Sequence, residues 1–111
     1  MAFIFTYAGD TAKVHVKSLL PRLVSKQGMT ILNHIFIAGG QTKVSAYLLA
    51  HEFGHVVQWR RLGPLGFVKA YVGGLLKHGY ENHPMEHEAH LYGVQHMGAL
   101  NETARVIRGG V

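Results

Sequence analysis

Residues 42–62 read TKVSAYLLAHEFGHVVQWRRL, and the interpretation of the whole chain starts from this stretch. Its apolar side chains would fall on most sides of an α-helix, so it is predicted to be a central, buried helix. Thr42 is the expected N-cap. Two arginines suit the last turn, Gly63 suits the position just past the helix, and Pro64 is expected to prevent its continuation.

The middle of this stretch contains the pentapeptide HEFGH at residues 51–55. Residues four apart lie on one face of a helix, so His51 and His55 can direct their imidazoles at one metal ion. Glu52 lies beside that face, where a carboxylate can take a proton from a water that zinc activates. Three ionisable groups in a buried helix are costly unless chemistry uses them. Gly54 lowers helix propensity, which indicates that another element packs closely here.

The third ligand of such a zinc site is expected from a second segment, because two histidines do not complete it. The chain lacks the glycine and the third histidine that continue the motif in metzincins. Residues 81–90 read ENHPMEHEAH. On a helix, Glu86 and His90 share a face with the small Ala89, which allows close approach to the motif helix. Glu86 is the favoured third ligand, and His90 is expected to support a ligand by hydrogen bonding. The alternative third ligands lie in the same segment and are His83, His87, Glu88 and His90.

The motif helix followed by Glu86-His-Glu-Ala-His90 resembles the gluzincin clan of zinc metallopeptidases, whose second helix carries Glu-x-x-(Ala/Ser)-Asp. The resemblance covers about Met29 to Gly93 and is closest to minimal gluzincins. It implies zinc-dependent peptide hydrolysis, with Glu86 as the third ligand and residues 29–37 as an upper edge strand that pairs with substrate. The chain departs from the clan at His90, where Asp is usual. Its 111 residues are also expected to be too few for the C-terminal subdomain that often supplies a transition-state donor in the clan.

The predicted function is therefore hydrolysis of a peptide or protein substrate by a zinc metallopeptidase of endopeptidase type. An oxyanion donor is needed for this reaction, and the candidates are Tyr80, Tyr92 and His96. The alternative function is a zinc-binding structural or interaction module that keeps the gluzincin site without turnover. Glu52 distinguishes the two hypotheses, since a structural zinc site does not require a carboxylate at that position.

The composition of the chain excludes or disfavours several other classes of function. The chain has no cysteine, which excludes disulfides, thiolate metal sites and cysteine nucleophiles. The net charge is +5, but the basic residues are dispersed and form no clear nucleic-acid motif. Neither a signal peptide nor a membrane-spanning run is recognised, so the cytoplasm is the expected compartment, with export by a signal-less route left open.

The remaining segments predict an α+β fold in one zincin-like domain over residues 1–111. A small, mainly antiparallel sheet is expected to pack on the central helix, and a further helix is expected to carry the third ligand. The strand-prone runs are residues 3–7, 14–17 and 29–37, the last folded back at Asn33-His34. Residues 18–25 fit either a strand or a short helix. Further helices are expected at residues 64–79 and from about 82–84 to 100, and the tail 101–111 is expected to form a short strand or to fray.

Overall fold

A computed structural model describes residues 2–24 and 26–110, so predictions for Met1, Ser25 and Val111 lie outside the described residues. Its four strands are β1 (Ala2–Tyr7), β2 (Asp10–His15), β3 (Gly28–Ile31) and β4 (His34–Ile37). They form one sheet in the order β1-β2-β4-β3. The β1–β2 and β3–β4 pairs are antiparallel, whereas β2 and β4 are parallel. The prediction of an α+β fold with a small, mainly antiparallel sheet is confirmed.

The strand-prone run at residues 29–37 forms two strands joined at Leu32 and Asn33, where Leu32 adopts a positive φ of 56°. Only its first half, β3, lies at the edge of the sheet. The predicted fold-back is therefore correct, and the edge strand is confined to residues 28–31. The ambiguous segment before it contains a short helix, α1 (Leu20–Leu23), with Pro21 in its first turn.

The core lies between the sheet and a long helix, α2 (Ala46–His78). Alternating strand residues Ala12, Val14, Ile35 and Ile37 are 0–1% exposed, because period-two alternation turns them all to one face. Leu49, Ala50, Phe53 and Val56 of α2 belong to the same buried cluster. This packing places the first half of α2 at the centre of the molecule, as its apolar composition predicts.

Helix α2 consists of two helical segments that meet at Gly63, whose φ of 74° and ψ of 164° are not helical. We call residues 46–62 the motif segment and residues 64–78 the outer segment. The expected stop at Gly63 and Pro64 is thus a sharp break after which a second helix begins. The prediction of Thr42 as the N-cap was wrong: Ser45 is the N-cap and accepts a hydrogen bond from the Leu48 amide at 3.0 Å. Although α2 has 33 residues, neither it nor another helix of the described chain is apolar enough to cross a membrane.

Two further helices follow, α3 (Pro84–His96) and α4 (Asn101–Ile107). Helix α3 ends four residues before the expected position near Leu100, and that leucine is buried just ahead of α4. The expectation of a strand or frayed tail was wrong for the described residues. Ala104 and Ile107 are buried in the core, and burial of this apolar face favours a helix that local sequence does not strongly encode.

Candidate metal centre

The candidate ligands come together because α2 and α3 approach closely at small residues. A Cβ built on Gly54 would lie 3.3 Å from the Cα of Ala89. A Cβ built on Gly93 would lie 3.3 Å from the Cα of His51. The close packing predicted from Gly54 is confirmed, and its consequence is that Glu86, one turn before Ala89, faces the motif segment.

Side-chain atoms of His51, His55 and Glu86 form a compact cluster. Glu86 Oε1 lies 3.2 Å from His51 Nε2 and 3.3 Å from His55 Nε2. One potential ligand atom from each residue lies within 4.8 Å of the others. Ligands at about 2.0–2.1 Å from a tetrahedral zinc ion lie roughly 3.3–3.4 Å apart. The two distances from Glu86 are therefore close to those between ligands of one tetrahedral ion, and three protein ligands are the number typical of catalytic zinc sites.

The hydrogen bonds of Gln58 fix the tautomer of His55. The Gln58 amide nitrogen donates to the Met85 carbonyl at 2.9 Å and to Glu88 Oε1 at 2.8 Å, so its oxygen must face His55. His55 Nδ1 donates to that oxygen at 2.8 Å. With the proton on Nδ1, the Nε2 lone pair of the neutral ring faces the acceptor oxygen of Glu86. Only a second proton or a cation between these two atoms makes that contact favourable.

The charges around this cluster are consistent with that conclusion. Burial opposes a charged His55, but the hydrogen bond to Glu86 and the nearby carboxylate of Glu52 outweigh it and raise the pKa of His55. Burial likewise opposes ionisation of Glu86, but hydrogen bonds from His51, His55 and Tyr71 hold the pKa of Glu86 well below its usual range. The site therefore presents a carboxylate that stays ionised beside two imidazoles, and these are donor groups that zinc takes.

His51 has a different support from that of His55. The Tyr47 hydroxyl lies 3.3 Å from His51 Nδ1 and 2.6 Å from His90 Nδ1. His90, predicted to support a ligand, therefore reaches His51 through a tyrosine that the sequence interpretation did not single out. Bridged in this way, the Tyr47 hydroxyl can donate to one imidazole while it accepts from the other.

Two tyrosines contact Glu86 from outside the ligand cluster. The Tyr71 hydroxyl donates a short hydrogen bond to Oε2, and the Tyr80 hydroxyl donates to Oε1 at 3.4 Å. Burial and the carboxylates of Glu86 and Glu52 raise the pKa of Tyr80 to about 12. Burial and the hydrogen bond to Glu86 raise the pKa of Tyr71 as well. Both phenols therefore remain protonated donors at neutral pH.

Glu52 lies outside the ligand cluster, between the motif segment and the edge strand β3. Its side chain is only 4% exposed, and its Oε1 accepts a hydrogen bond of 2.8 Å from the Thr30 hydroxyl. Thr30 also donates to the Glu52 carbonyl at 3.1 Å. A Cβ on Gly28 would lie 3.2 Å from Glu52 Oε2, so that strand position suits glycine. The strand thus holds the carboxylate in one orientation.

A pocket of about 580 Å³ opens beside Glu52, His55 and Glu86. Its apolar wall includes Trp59 and Phe67, whose rings stack with centroids 3.8 Å apart. The Trp59 indole donates to the Thr30 carbonyl at 3.0 Å, which ties the wall to the edge strand. The arrangement provides an apolar compartment, large enough for a side chain, next to ionisable groups.

Two of the predicted transition-state candidates are not brought to this pocket. Tyr92 and His96 stack on each other with centroids 3.9 Å apart, and His96 Nδ1 shares a 2.7 Å hydrogen bond with the Tyr7 hydroxyl. Tyr80 is the one that the fold brings to the cluster. Of the alternative ligands, His83 is buried and bonds the Tyr71 carbonyl at 2.8 Å, and His87 bonds the Glu81 carbonyl at 2.8 Å.

Several supporting residues were not predicted, and only some had a local signal. Tyr47 precedes His51 by four residues and Gln58 follows His55 by three, so helical periodicity alone places each beside its histidine. Thr30 and Tyr71 come from other segments, and nothing in their surrounding sequence marks them. They become recognisable only when β3 and the outer segment are positioned around the motif.

Comparison with known protein families gives a match to part of this chain. A family model described as the eCIS core domain matches residues 10–63. The match runs from β2 through the motif segment, so it includes His51, Glu52 and His55 and ends before Glu86. The resemblance drawn from the sequence was to gluzincins, whereas the family that matches is the eCIS core domain. No curated protein and no solved structure is significantly similar to the chain.

Proposed function

We propose that this chain is a zinc-dependent metallopeptidase domain. The observation that carries the proposal is the position of Glu52, a buried carboxylate that is separate from the three candidate ligands and lines the same pocket as His55 and Glu86. A zinc site needs no such group for binding. A peptidase needs it as a general base.

His51, His55 and Glu86 would hold the ion, which when bound supplies Lewis acidity and lowers the pKa of water. Glu52 then accepts the proton on its carboxylate and returns it to the leaving amine. The hydrogen bond from Thr30 keeps that carboxylate directed along β3. Tyr80 and Tyr71, whose hydroxyls lie at the Glu86 carboxylate, are the proposed donors to the negative charge that develops.

The proposed partner is a peptide or protein substrate that adds to the free edge of β3 as an extra strand. This edge lines the pocket through Gly28, Met29, Thr30 and Ile31. The eCIS core match supports a place in a multi-protein system, that of an extracellular contractile injection system. The cytoplasm is our proposed compartment for the unassembled chain.

A zinc-binding structural module is the second candidate. It is favoured by the way that the ligands and Tyr71 link α3 to both segments of α2, since an ion there would stabilise the fold. In that case zinc should raise the melting temperature, and the protein should hydrolyse nothing.

The test combines metal analysis with a substitution at Glu52. Purified protein should contain about one zinc ion per chain, following the ligand count of such sites. Glu52→Gln keeps size and hydrogen-bonding oxygen but removes basicity, so it should bind zinc normally and lose roughly 10²–10⁴-fold in hydrolysis of a peptide library. Wild-type rates in Glu52→Gln, with contaminating protease excluded, would refute the role of Glu52. Protein that takes up no zinc from excess metal would refute the proposal altogether.

A further inference from the structure

The pocket beside the metal centre contains one cationic side chain that the proposed mechanism does not use, counting the residues that the structure describes. Lys26 lies in the connection between α1 and β3 and is partly buried. Its Nζ lies 3.8 Å from the centre of the Tyr80 ring and donates to the Tyr71 hydroxyl at 3.3 Å. The ammonium is therefore held on the polar side of the pocket by two aromatic residues.

Within the described parts of the chain, no carboxylate comes within ion-pair distance, 4.0 Å, of this ammonium. An ammonium has three donors, and here a phenol oxygen accepts from one of them. Glu86 and Glu52 attract this ammonium from beyond ion-pair distance, which offsets only part of the cost of its burial. The remaining donors and the open pocket in front of them suit an anionic oxygen of a ligand, which would give a charge-assisted hydrogen bond.

The position of Lys26 indicates which anion it meets. Tyr71 stands between Lys26 and Glu86, because the same hydroxyl accepts from Lys26 and donates to Glu86. The ammonium is thus one side chain further from the candidate ligands than Tyr71 and Tyr80 are. The oxygen on the carbonyl carbon of the cleaved bond would contact those tyrosines first. A carboxylate one residue further along the peptide would reach Lys26.

We propose that Lys26 binds the free α-carboxylate of a peptide whose last side chain occupies the apolar wall of the pocket. This inference rests on the proposed function and specifies its substrate class: peptides that end in a large apolar residue. Trp59, Phe67 and Leu75 supply that wall, and Tyr80 and Tyr71 hold the ammonium that receives the carboxylate. The residue leaves as a free amino acid when the bond before it is hydrolysed, with water supplying OH to the new carboxyl group and H to the amine.

Trp59 provides a direct binding signal, because it is the chain's one tryptophan and it lines the pocket. Its fluorescence should be titrated with N-acetyl-Ala-Ala-Phe and with the C-terminal amide of the same peptide. Zinc-loaded Glu52→Gln protein prevents turnover, and metal-free wild type serves as a second sample. We expect the carboxylate peptide to bind roughly 10–100-fold more tightly than the amide, as for a hydrogen bond between charged groups.

Substitution of the lysine should remove that preference. Lys26→Met should bind both peptides with the affinity of the amide, and Lys26→Arg should retain most of the difference. Lys69→Met is the matched control, an exposed lysine of the outer segment that does not line the pocket, and it should leave the preference intact. Circular dichroism of each variant checks the fold.

Three results would overturn the inference. The first is equal affinity for the two peptides in wild type. The second is an equal loss of affinity for both peptides in Lys26→Met, which would show that the lysine does not distinguish a carboxylate from an amide. The third is no Trp59 response to millimolar carboxylate peptide, confirmed by calorimetry. The metal-free titration separates this inference from the proposed function, because carboxylate preference there requires neither zinc nor turnover.

Discussion

The two segments of α2 have nearly the same length and are continuous in sequence, but they differ in how the fold uses them. In the motif segment, nine residues are buried, Glu52, His55 and Gln58 among them, whereas Phe67 is the one buried residue of the outer segment. Leu65 and Leu76 of the outer segment are 83% and 86% exposed. The motif segment packs between the sheet and α3, and the outer segment contacts its surroundings mainly on the side of the pocket.

The difference shows that an ionisable motif gains its chemistry from its packing as well as its spacing. On the motif segment, the buried Gln58 holds the imidazole of His55, and the Thr30 hydroxyl holds the carboxylate of Glu52 toward β3. On the outer segment, Tyr71 contributes a single hydroxyl to a ligand held elsewhere. Four predictions use this contrast, from the largest expected effect to the smallest.

Removal of a ligand that packs on the motif segment should have the largest effect. Glu86→Ala leaves two imidazoles and water, and zinc affinity should fall by orders of magnitude, measured by competition with a chromogenic chelator. His87→Ala, an exposed position on the same helix, is the control that should bind zinc like wild type. His83→Ala, at the N-cap of that helix, should also retain zinc binding but lower stability, because its buried ring bonds on both nitrogens, so circular dichroism checks its fold. If Glu86→Ala binds zinc normally while either histidine variant does not, the third ligand is misassigned.

Removal of a side chain that hydrogen-bonds to a ligand should reduce zinc affinity less, whichever segment of α2 supplies that side chain. Gln58→Leu on the motif segment and Tyr71→Phe on the outer segment should each weaken zinc binding by roughly 10–100-fold. Gln58→Leu should also lower the free energy of unfolding, because it leaves Glu88 and the Met85 carbonyl without their buried donor. Tyr71→Phe should lower it less, because Glu86 keeps its contacts with His51, His55 and Tyr80. Equal loss of stability in both variants would contradict the contrast between the segments.

The same contrast predicts the cost of a methyl group between α3 and the motif segment. Gly93→Ala would put Cβ 2.9 Å from a Tyr47 ring carbon and 3.3 Å from the His51 backbone, so the free energy of unfolding should fall by about 1–2 kcal/mol. Urea denaturation measures it. Zinc affinity should fall too, because the backbone of a ligand must move. A stable variant with unchanged zinc affinity would show that the two helices can separate without effect on the site.

The smallest effect should have the opposite sign. A Cβ on Gly73 of the outer segment meets nothing within 4 Å, so Gly73→Ala should raise the free energy of unfolding by about 0.5–1 kcal/mol through helix propensity. The neighbouring Gly74 is a matched control. Its Cβ would lie 2.4 Å from the buried His83 ring, which bonds on both nitrogens, so Gly74→Ala should destabilise. Destabilisation by Gly73→Ala would indicate an unseen partner on that face.

A feature could be predicted from the sequence when the residues that determine it are close together in the chain. The pairing of His51 with His55 depends on helical periodicity alone, and the stop at Gly63 depends on conformations that neighbouring residues impose. The helix start did not follow its expected cap: Ser45 and Thr42 are both acceptable cap residues, and Ser45 is the one that caps the helix. The tail likewise became helical because Ala104 and Ile107 are buried.

The amino-acid sequence by itself determined that a buried helix carries two imidazoles and a carboxylate, since i and i+4 positions share a face in any α-helix. It also indicated Glu86, because a small residue beside it marks a helix that approaches closely. Only the tertiary structure decided that Tyr80 faces the site while Tyr92 and His96 stack elsewhere, and that Thr30 and Lys26 reach the pocket. Such contacts join segments distant in the chain, and their geometry depends on how the sheet and helices pack, which no local pattern encodes.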